Sequence, residues 1–262
     1  MQTKKQVILL SSYFINDYVI SAYDKLQASL RGDMDMYLLI EVKSDYFTIS
    51  ERIKYFPFTI DTLNELSYIP IAEAIIPGSN HFQLFQFYRT FPQYDYYWNI
   101  EYDVYMNGEW RLLFDRYKTV ASDFISSHIE RYPQTPEWMW WDSLQLKTID
   151  IPKVEYVKSF NPIYRISNKA MALLDKVLSE GNAGHHEVMI PTVLNYLGYT
   201  INDWGGIGEF VIQGNENSVY LTSPDVNNYY YLGSTMRFRP EFNRAEVDER
   251  LVKNRVYHPV KK

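Results

Sequence analysis

The chain has 262 residues, with 26 Lys and Arg against 32 Asp and Glu for a net charge of −6. That balance argues against a protein that coats nucleic acid, since such binding rests on basic side chains neutralising phosphates. An apolar fraction of 46% with 22% charged residues is that of a chain that buries a core, so wholesale disorder is excluded, and the absence of cysteine excludes disulfides, thiolate metal sites and a thiol nucleophile.

At about 150 residues per domain, the length fits a single α/β domain with extensions. Val7 to Leu10 reads as a buried strand, cut to four apolar residues by Ser11 and Ser12. A signal peptide needs an apolar stretch of roughly 7 to 15 residues, and no run approaches the roughly 18 of a membrane span, so the expectation is a soluble cytoplasmic protein. From Asp17 to Leu30, the residues Ile20, Tyr23, Leu26 and Leu30 recur at helical spacing, and Met36 to Ile40 forms a second apolar strand. This β-α-β opening predicts a parallel sheet.

Ring-bearing residues Phe82, Phe85, Tyr88 and Phe91 mark a helix over Asn80 to Phe91, and Tyr96 to Ile100 reads as a central strand ending in acids. Trp110, Leu113, Phe114 and Tyr117 give another amphipathic helix, and Asp123 to Ile129 another strand. Beyond an aromatic, proline-bearing stretch from Tyr132 to Trp141 come a strand over Phe160 to Ile166, a helix capped by Ser167 and closed by Gly181, and a helix from about His186 to Leu197 stopped by Gly198. The segment from Asn202 to Pro240 reads as loop-rich. With no repeat, charge block or linker, one domain spans 1–262: an α/β fold with a mostly parallel sheet flanked by helices, its 1–104 half ending in the acids and its 105–262 half following.

Several groups carry candidate chemistry. Glu101 and Asp103 follow an apolar strand directly, at the carboxyl edge where open α/β sheets bind ligands, and residues two apart in extended chain share a face. Hard cations such as Mg2+ or Mn2+ favour carboxylate oxygens and leave room for substrate phosphates. Asp33/Asp35 and Glu246/Asp248 have the same spacing, so position singles out Glu101 and Asp103, against the alternative of a solvated strand end. In the run Gly181, Asn182, Ala183, Gly184, His185, His186, Glu187, the glycines permit close backbone approach and the helix start favours a carboxylate at Glu187, which burial can tune as a general base. A plain helix cap with incidental histidines is the other reading. Adjacent helix residues diverge, which argues against His185 and His186 sharing an ion. Trp138, Trp140 and Trp141 beside Asp142 suit a sugar's apolar face and hydroxyls, though core packing is the better account of at least two of the three tryptophans. Arg237 and Arg239 alternate as strand residues do and can both face a phosphate. No G-x-S-x-G elbow, P-loop or G-x-G-x-x-G fingerprint occurs.

The block YDYYWNIEYDV from Tyr94 to Val104 resembles the strand and acid motif of nucleotide-sugar-dependent glycosyltransferases with the glycosyltransferase-A fold. It is similar to the corresponding block of fungal α-mannosyltransferases and of an uncharacterised bacterial group. The later NPIYRIS and HHEVMIPTVLNYLGY blocks are similar to those of branching N-acetylglucosaminyltransferases. With VILLSS at the start, the resemblance follows most of the chain in order. It implies that Glu101 and Asp103 engage ribose and a divalent cation carrying the donor diphosphate, that His258 completes the metal site, and that Ser11, Ser12 and Tyr13 hold the nucleotide. Gly184 and His186 would lie near the donor or acceptor sugar, and Glu187 would be the base of an inverting transfer to an acceptor hydroxyl. The branching enzymes use basic residues instead of metal, a role open to Arg237, Arg239 and Lys261, and the fungal enzymes retain configuration, so both schemes stand. The rival class is a glycan-binding or scaffold protein on a degenerate transferase fold; a sugar nucleotidyltransferase lacks its glycine-rich basic loop near the first strand.

Overall fold

A computed structural model describes residues 4–43, 49–76, 78–222 and 231–261. The expected opening is present as β1 (Gln6–Ser12), α1 (Asp17–Gln27) and β2 (Met34–Glu41), with the Asn16 side chain accepting from Val19 N at 3.1 Å to cap α1. Then follow β3 (Tyr55–Phe58), α2 (Thr62–Glu65), α3 (Phe82–Thr90), β4 (Tyr96–Glu101), β5 (Tyr105–Met106), α4 (Trp110–Tyr117) and β6 (Phe124–Arg131). The rest comprises β7 (Val157–Ser167), α5 (Asn168–Ser179), α6 (His186–Tyr196), β8 (Ile201–Asp203), β9 (Phe242–Asn243), α7 (Arg244–Glu249), β10 (Val256–Tyr257) and β11 (Val260–Lys261).

Seven strands form one sheet in the order β3-β2-β1-β4-β7-β6-β8. All run the same way except β7, which is antiparallel to both β4 and β6. The two-residue period of a strand sends alternate side chains to opposite faces. Val7 and Leu9 of β1 therefore join Tyr97, Tyr164 and Ile166 in the core under α3, α5 and α6, while Ile8 and Leu10 join Trp98, Ile163 and the α1 and α4 residues Val19, Tyr23, Leu26, Trp110 and Phe114 on the other. Helices on both faces of a buried sheet give a single α/β domain, mostly parallel. No helix among the described residues is long and apolar enough to cross a membrane.

The chain differs from the sequence expectation in two places that shape the site. Arg237 and Arg239 do not lie on a strand: between β8 and β9 the described residues contain no helix or strand. The tail is ordered by long-range pairing, with Val256 opposite Met106, Tyr257 opposite Tyr105, and Val260 N donating to Asp103 O at 2.9 Å. Those bonds return the last residues to the turn that follows β4.

Candidate functional site

β1 and β4 are parallel neighbours in which Ser11 lies opposite Glu101, so their carboxyl ends open on one edge. The chain turns just beyond, and Tyr102 N donates to Ser11 O at 3.0 Å. Asp103 thus sits above the strand end, and the tail pairing brings His258 over it. The ligand atoms of Glu101, Asp103 and His258 lie within 4.8 Å of one another, with His258 Nε2 3.6 Å from Glu101 Oε2 and 3.5 Å from Asp103 Oδ1. His258 Nδ1 is 2.9 Å from the carbonyl oxygen of Arg237. A carbonyl can only accept, so Nδ1 carries the hydrogen and Nε2 faces the acids, an arrangement typical of imidazole ligands.

Burial acts against the His258 charge, but Asp103 and Glu101 outweigh it and raise the imidazole to about 9. Burial also opposes the Asp103 carboxylate, and His258 with Lys261 overcomes this to hold it down at about 2. Lys261 Nζ lies 2.6 Å from Asp103 Oδ2 and 2.8 Å from Tyr102 Oη. Asp103 Oδ1 is buried and accepts no hydrogen bond from the described residues. An orphaned carboxylate oxygen between a second carboxylate and an imidazole is the donor set a hard divalent cation prefers, so the residues present fit such an ion.

Glu187 enters the same edge from α6. Because β7 is reversed, its early residues lie beside the late residues of β4, and Asn161 N reaches Glu187 Oε1 at 3.0 Å. Burial raises the Glu187 carboxyl to about 7, offset by the Asn161 hydrogen bond and raised further by the charge of Glu101, while Lys158 and His258 pull it down. Those influences tie Glu187 electrically to the acid triad. His185 is the N-cap of α6, its Nδ1 accepting from Glu187 N at 3.3 Å. Being outside the helix, it does not diverge from His186 as adjacent helical residues would; the two rings stack at 4.9 Å.

Ser11 Oγ donates to Asn99 Oδ1 at 2.7 Å, Ser12 Oγ to Phe14 O at 2.6 Å, and Tyr13 Oη lies 2.9 Å from Tyr102 Oη. Tyr13 thus borders the side of the edge where Lys261 reaches Tyr102, while the Ser11 and Ser12 hydroxyls at the end of β1 are bonded within the chain. Trp140 stacks on His185 with ring centroids 4.5 Å apart, and Trp138 meets His185 edge-on at 6.1 Å. His186 is buried, its ring nitrogen 3.4 Å from Asn161 Nδ2.

Other predicted site residues have different surroundings. Trp141 is 1% exposed and donates its indole N–H to Thr135 O at 2.7 Å, so it is core. Asp142 points outward and pairs with Lys153 at 2.5 Å. A Cβ on Gly184 would come within 3.1 Å of the Leu144 Cα: its missing side chain admits another backbone. Neighbouring Ala183 exchanges two hydrogen bonds with Gln145. Arg237 lays its guanidinium 3.5 Å over the Phe242 ring and donates to Pro240 O, and Arg239 pairs with Glu241 at 3.1 Å. Neither guanidinium joins the acids; of the proposed basic residues, Lys261 does.

Sequence reasoning missed Asn80, Asn161 and Lys158. Asn80 Nδ2 is 3.5 Å from Glu101 Oε1, and Lys158, only 2% exposed, pairs with Glu130 at 2.5 Å and with Tyr231 Oη at 2.6 Å. The one signal was Lys158 and Asn161 among the apolar residues of a strand that also holds Ser159 and Arg165; Asn80 stood only at the start of an expected helix, with nothing to mark it as a site residue.

No protein-family model and no curated protein matches the sequence. Among solved structures, the chain resembles a Bacillus anthracis protein assigned as a glucose-1-phosphate thymidylyltransferase, in complex with sucrose, at 11% identity and TM-score 0.44 over 76% of this chain and 86% of that one. It also resembles glucosyl-3-phosphoglycerate synthase of Mycobacterium tuberculosis in complex with Mn2+, uridine diphosphate and phosphoglyceric acid, at 14% identity and TM-score 0.43 over 76% of this chain and 68% of that one. Both likenesses are partial, and residue roles rest on the site's own geometry.

Proposed function

We propose that this chain transfers a sugar from a nucleoside diphosphate donor to an acceptor hydroxyl, on a glycan or another molecule, with the reaction centred at the carboxyl edge of the sheet. One observation carries the reading: Glu101, Asp103 and His258 gather within 4.8 Å beside a carboxylate, Glu187, whose affinity for a proton is raised to about 7. Glu101, Asp103 and His258 would hold a divalent cation, Mn2+ or Mg2+, which supplies charge stabilisation for the departing diphosphate. Binding such an ion requires His258 to lose its proton, so uptake is coupled to proton release.

The chain's own groups divide the remaining work. Ser11, Ser12 and Tyr13 border the strand end on which the nucleotide would rest. Lys261 offsets negative charge next to Asp103. Glu187 Oε1 is occupied by Asn161 N–H, whereas Oε2 lies 3.8 Å from His185 Nδ1, a nitrogen that accepts from Glu187 N and so offers it no hydrogen; Oε2 is the atom assigned to take the proton. In an inverting displacement the acceptor oxygen bonds to the anomeric carbon as the bond from that carbon to the diphosphate oxygen breaks. The hydroxyl proton passes to Glu187 Oε2. Trp140, partly buried and stacked on the His185 cap of the same helix, would offer a ring to the acceptor, whereas Trp138, only 8% exposed, belongs to the core with Trp141.

The test is release of nucleoside diphosphate from a panel of nucleotide sugars with Mn2+. Glu187→Gln should lower turnover by about 10² to 10⁴ if Glu187 is the base while leaving donor affinity intact. Undiminished turnover removes that assignment, and failure of the wild type to bind any nucleotide leaves the glycan-binding reading.

A further inference from the structure

Between the acid triad and Glu187 runs a segment whose polar groups the fold leaves unused. The carbonyl of Gly78 accepts from His186 N at 3.0 Å at one end, and Asn80 Nδ2 approaches Glu101 Oε1 at 3.5 Å at the other. The His81 ring lies nearly parallel to that of His186, 18° between planes and 6.2 Å between centroids. Residues 78–81 therefore bridge the two halves of the site.

Ser79 Oγ, Asn80 Oδ1, both ring nitrogens of His81 and Gln83 Oε1 are buried and have no hydrogen-bond partner among the described residues. Ser79 and His81 are each 1% exposed. A buried polar group left unpaired costs about 1–3 kcal/mol, and native folds keep few of them. Five such atoms within five consecutive residues, next to a candidate reaction centre, point to partners that arrive from outside the chain.

The electrostatics indicate what kind of partner. Burial keeps His81, His185 and His186 neutral, well below the ordinary imidazole range. A neutral imidazole offers one donor and one acceptor, the complement of a hydroxyl. The nearby cations are committed: Lys261 to Asp103, Lys158 to Glu130, and His258 to both acids. The carboxylates facing the segment are Glu101, which His258 and Asn80 already contact, and Glu187, held at one oxygen by the Asn161 N–H. A carboxylate on the sugar ring would lie beside Glu187 and find each of these side-chain cations already paired.

We propose that Ser79, Asn80 and His81 bind the hydroxyls of the transferred sugar and select an uncharged ring over one bearing a carboxylate. This rests on the transferase reading above and names the donor class it takes.

The experiment is calorimetric titration, with Mn2+ present, of the wild type, Ser79→Ala and His81→Phe. The probes are UDP, GDP, ADP and dTDP, the glucose, galactose, mannose and N-acetylglucosamine conjugates of the one that binds, and its glucuronic acid conjugate. In the wild type the best neutral conjugate should bind at least about tenfold more tightly than the bare nucleotide and than the glucuronic acid conjugate. In both variants that preference should shrink toward onefold while bare-nucleotide affinity stays within about twofold. His81→Phe should also raise the melting temperature of the free protein, because it removes a buried imidazole without partners. A purely structural His81 would lower it. Equal weakening of bare nucleotide and conjugate, or a glucuronic acid conjugate bound as tightly as the neutral ones, overturns the inference and leaves the transferase reading standing. A wild type that binds no nucleotide overturns both. Should His81→Phe fail to fold, Ser79→Ala, which deletes one unpartnered hydroxyl, decides alone.

Discussion

Glu187 makes a pH-dependent claim on stability that can be measured without knowing any substrate. Its carboxyl rises from an ordinary 4.5 to about 7 because burial penalises the charged form and Glu101 adds like charge. A folded-state pKa above the unfolded one means that the native protein holds this proton more tightly. The associated stability is fully present below about pH 4.5 and is lost as pH climbs through about 7. At about 1.4 kcal/mol per pKa unit, the loss across that window is at most about 3 kcal/mol. Gln at this position has no charge to desolvate and keeps a carbonyl oxygen for Asn161 N–H. Glu187→Gln should therefore match the wild type within about 1 kcal/mol near pH 4.5 and exceed it by up to about 3 kcal/mol at pH 8. Urea unfolding of both proteins from pH 4.5 to 8 with a chelator present measures the gap. A difference that does not vary with pH would falsify the claim that this carboxylate is ionised at a cost, and with it the basis for a base that operates near neutrality.

Three other outcomes follow from named contacts. Mn2+ at 100 times its dissociation constant should stabilise the wild type by about 2.7 kcal/mol, and Asp103→Asn should remove most of that gain; a thermal shift that survives the substitution places the ion elsewhere. Gly78→Ala should cost more than about 1 kcal/mol, because φ is +95° and a Cβ would overlap the Ile71 side chain and lie 3.1 Å from His185; an unaffected melting temperature refutes the tight fit beneath the His185 cap. Ser167 Oγ accepts from Ala170 N at 3.2 Å and donates to Asp123 Oδ1 at 2.9 Å, so Ser167→Ala should cost about 1–2 kcal/mol in chemical denaturation, with no change in Mn2+ affinity.

The elements legible in the sequence were those with strong local periodicity. Val7 to Leu10, the helical spacing over Asp17 to Leu30, realised as a helix ending at Gln27, and the Ser167-capped helix each carry a local signal, and their order is enough to imply an α/β sheet. Glu101 and Asp103 were legible because an apolar strand directly precedes them. His258 carried no local signal: what puts it over Asp103 is the pairing of Tyr257 with Tyr105 and the bond from Val260 N to Asp103 O, partners more than 150 residues away that no window around the histidine contains. The arginines failed for the converse reason. Alternation at Arg237 and Arg239 imitates a strand, but Pro240, lacking an N–H, and a ring at Phe242 draw the first guanidinium aside. Trp141 went to the core because aromatic side chains contribute more by burial than by waiting for a ligand.

The reversed strand β7 determines whether those separate groups amount to a site. Had β7 run parallel to β4, its first residues would lie at the opposite edge of the sheet, and the helix following α5 would begin far from Glu101. Reversal places the Asn161 N–H and the start of α6 at the carboxyl edge instead, and the bond from Asn161 to Glu187 Oε1 at 3.0 Å fixes the carboxylate against that strand. Every residue but proline keeps the backbone N–H, so this anchor holds one oxygen for any other side chain at the Asn161 position. The Asn161 side chain has a separate task, holding Ser126 Oγ at 2.7 Å and contacting His186 at 3.4 Å. The proton-accepting oxygen is thus set by topology and the surrounding polarity by side chains, and substitution at Asn161 should disturb the second while sparing the first.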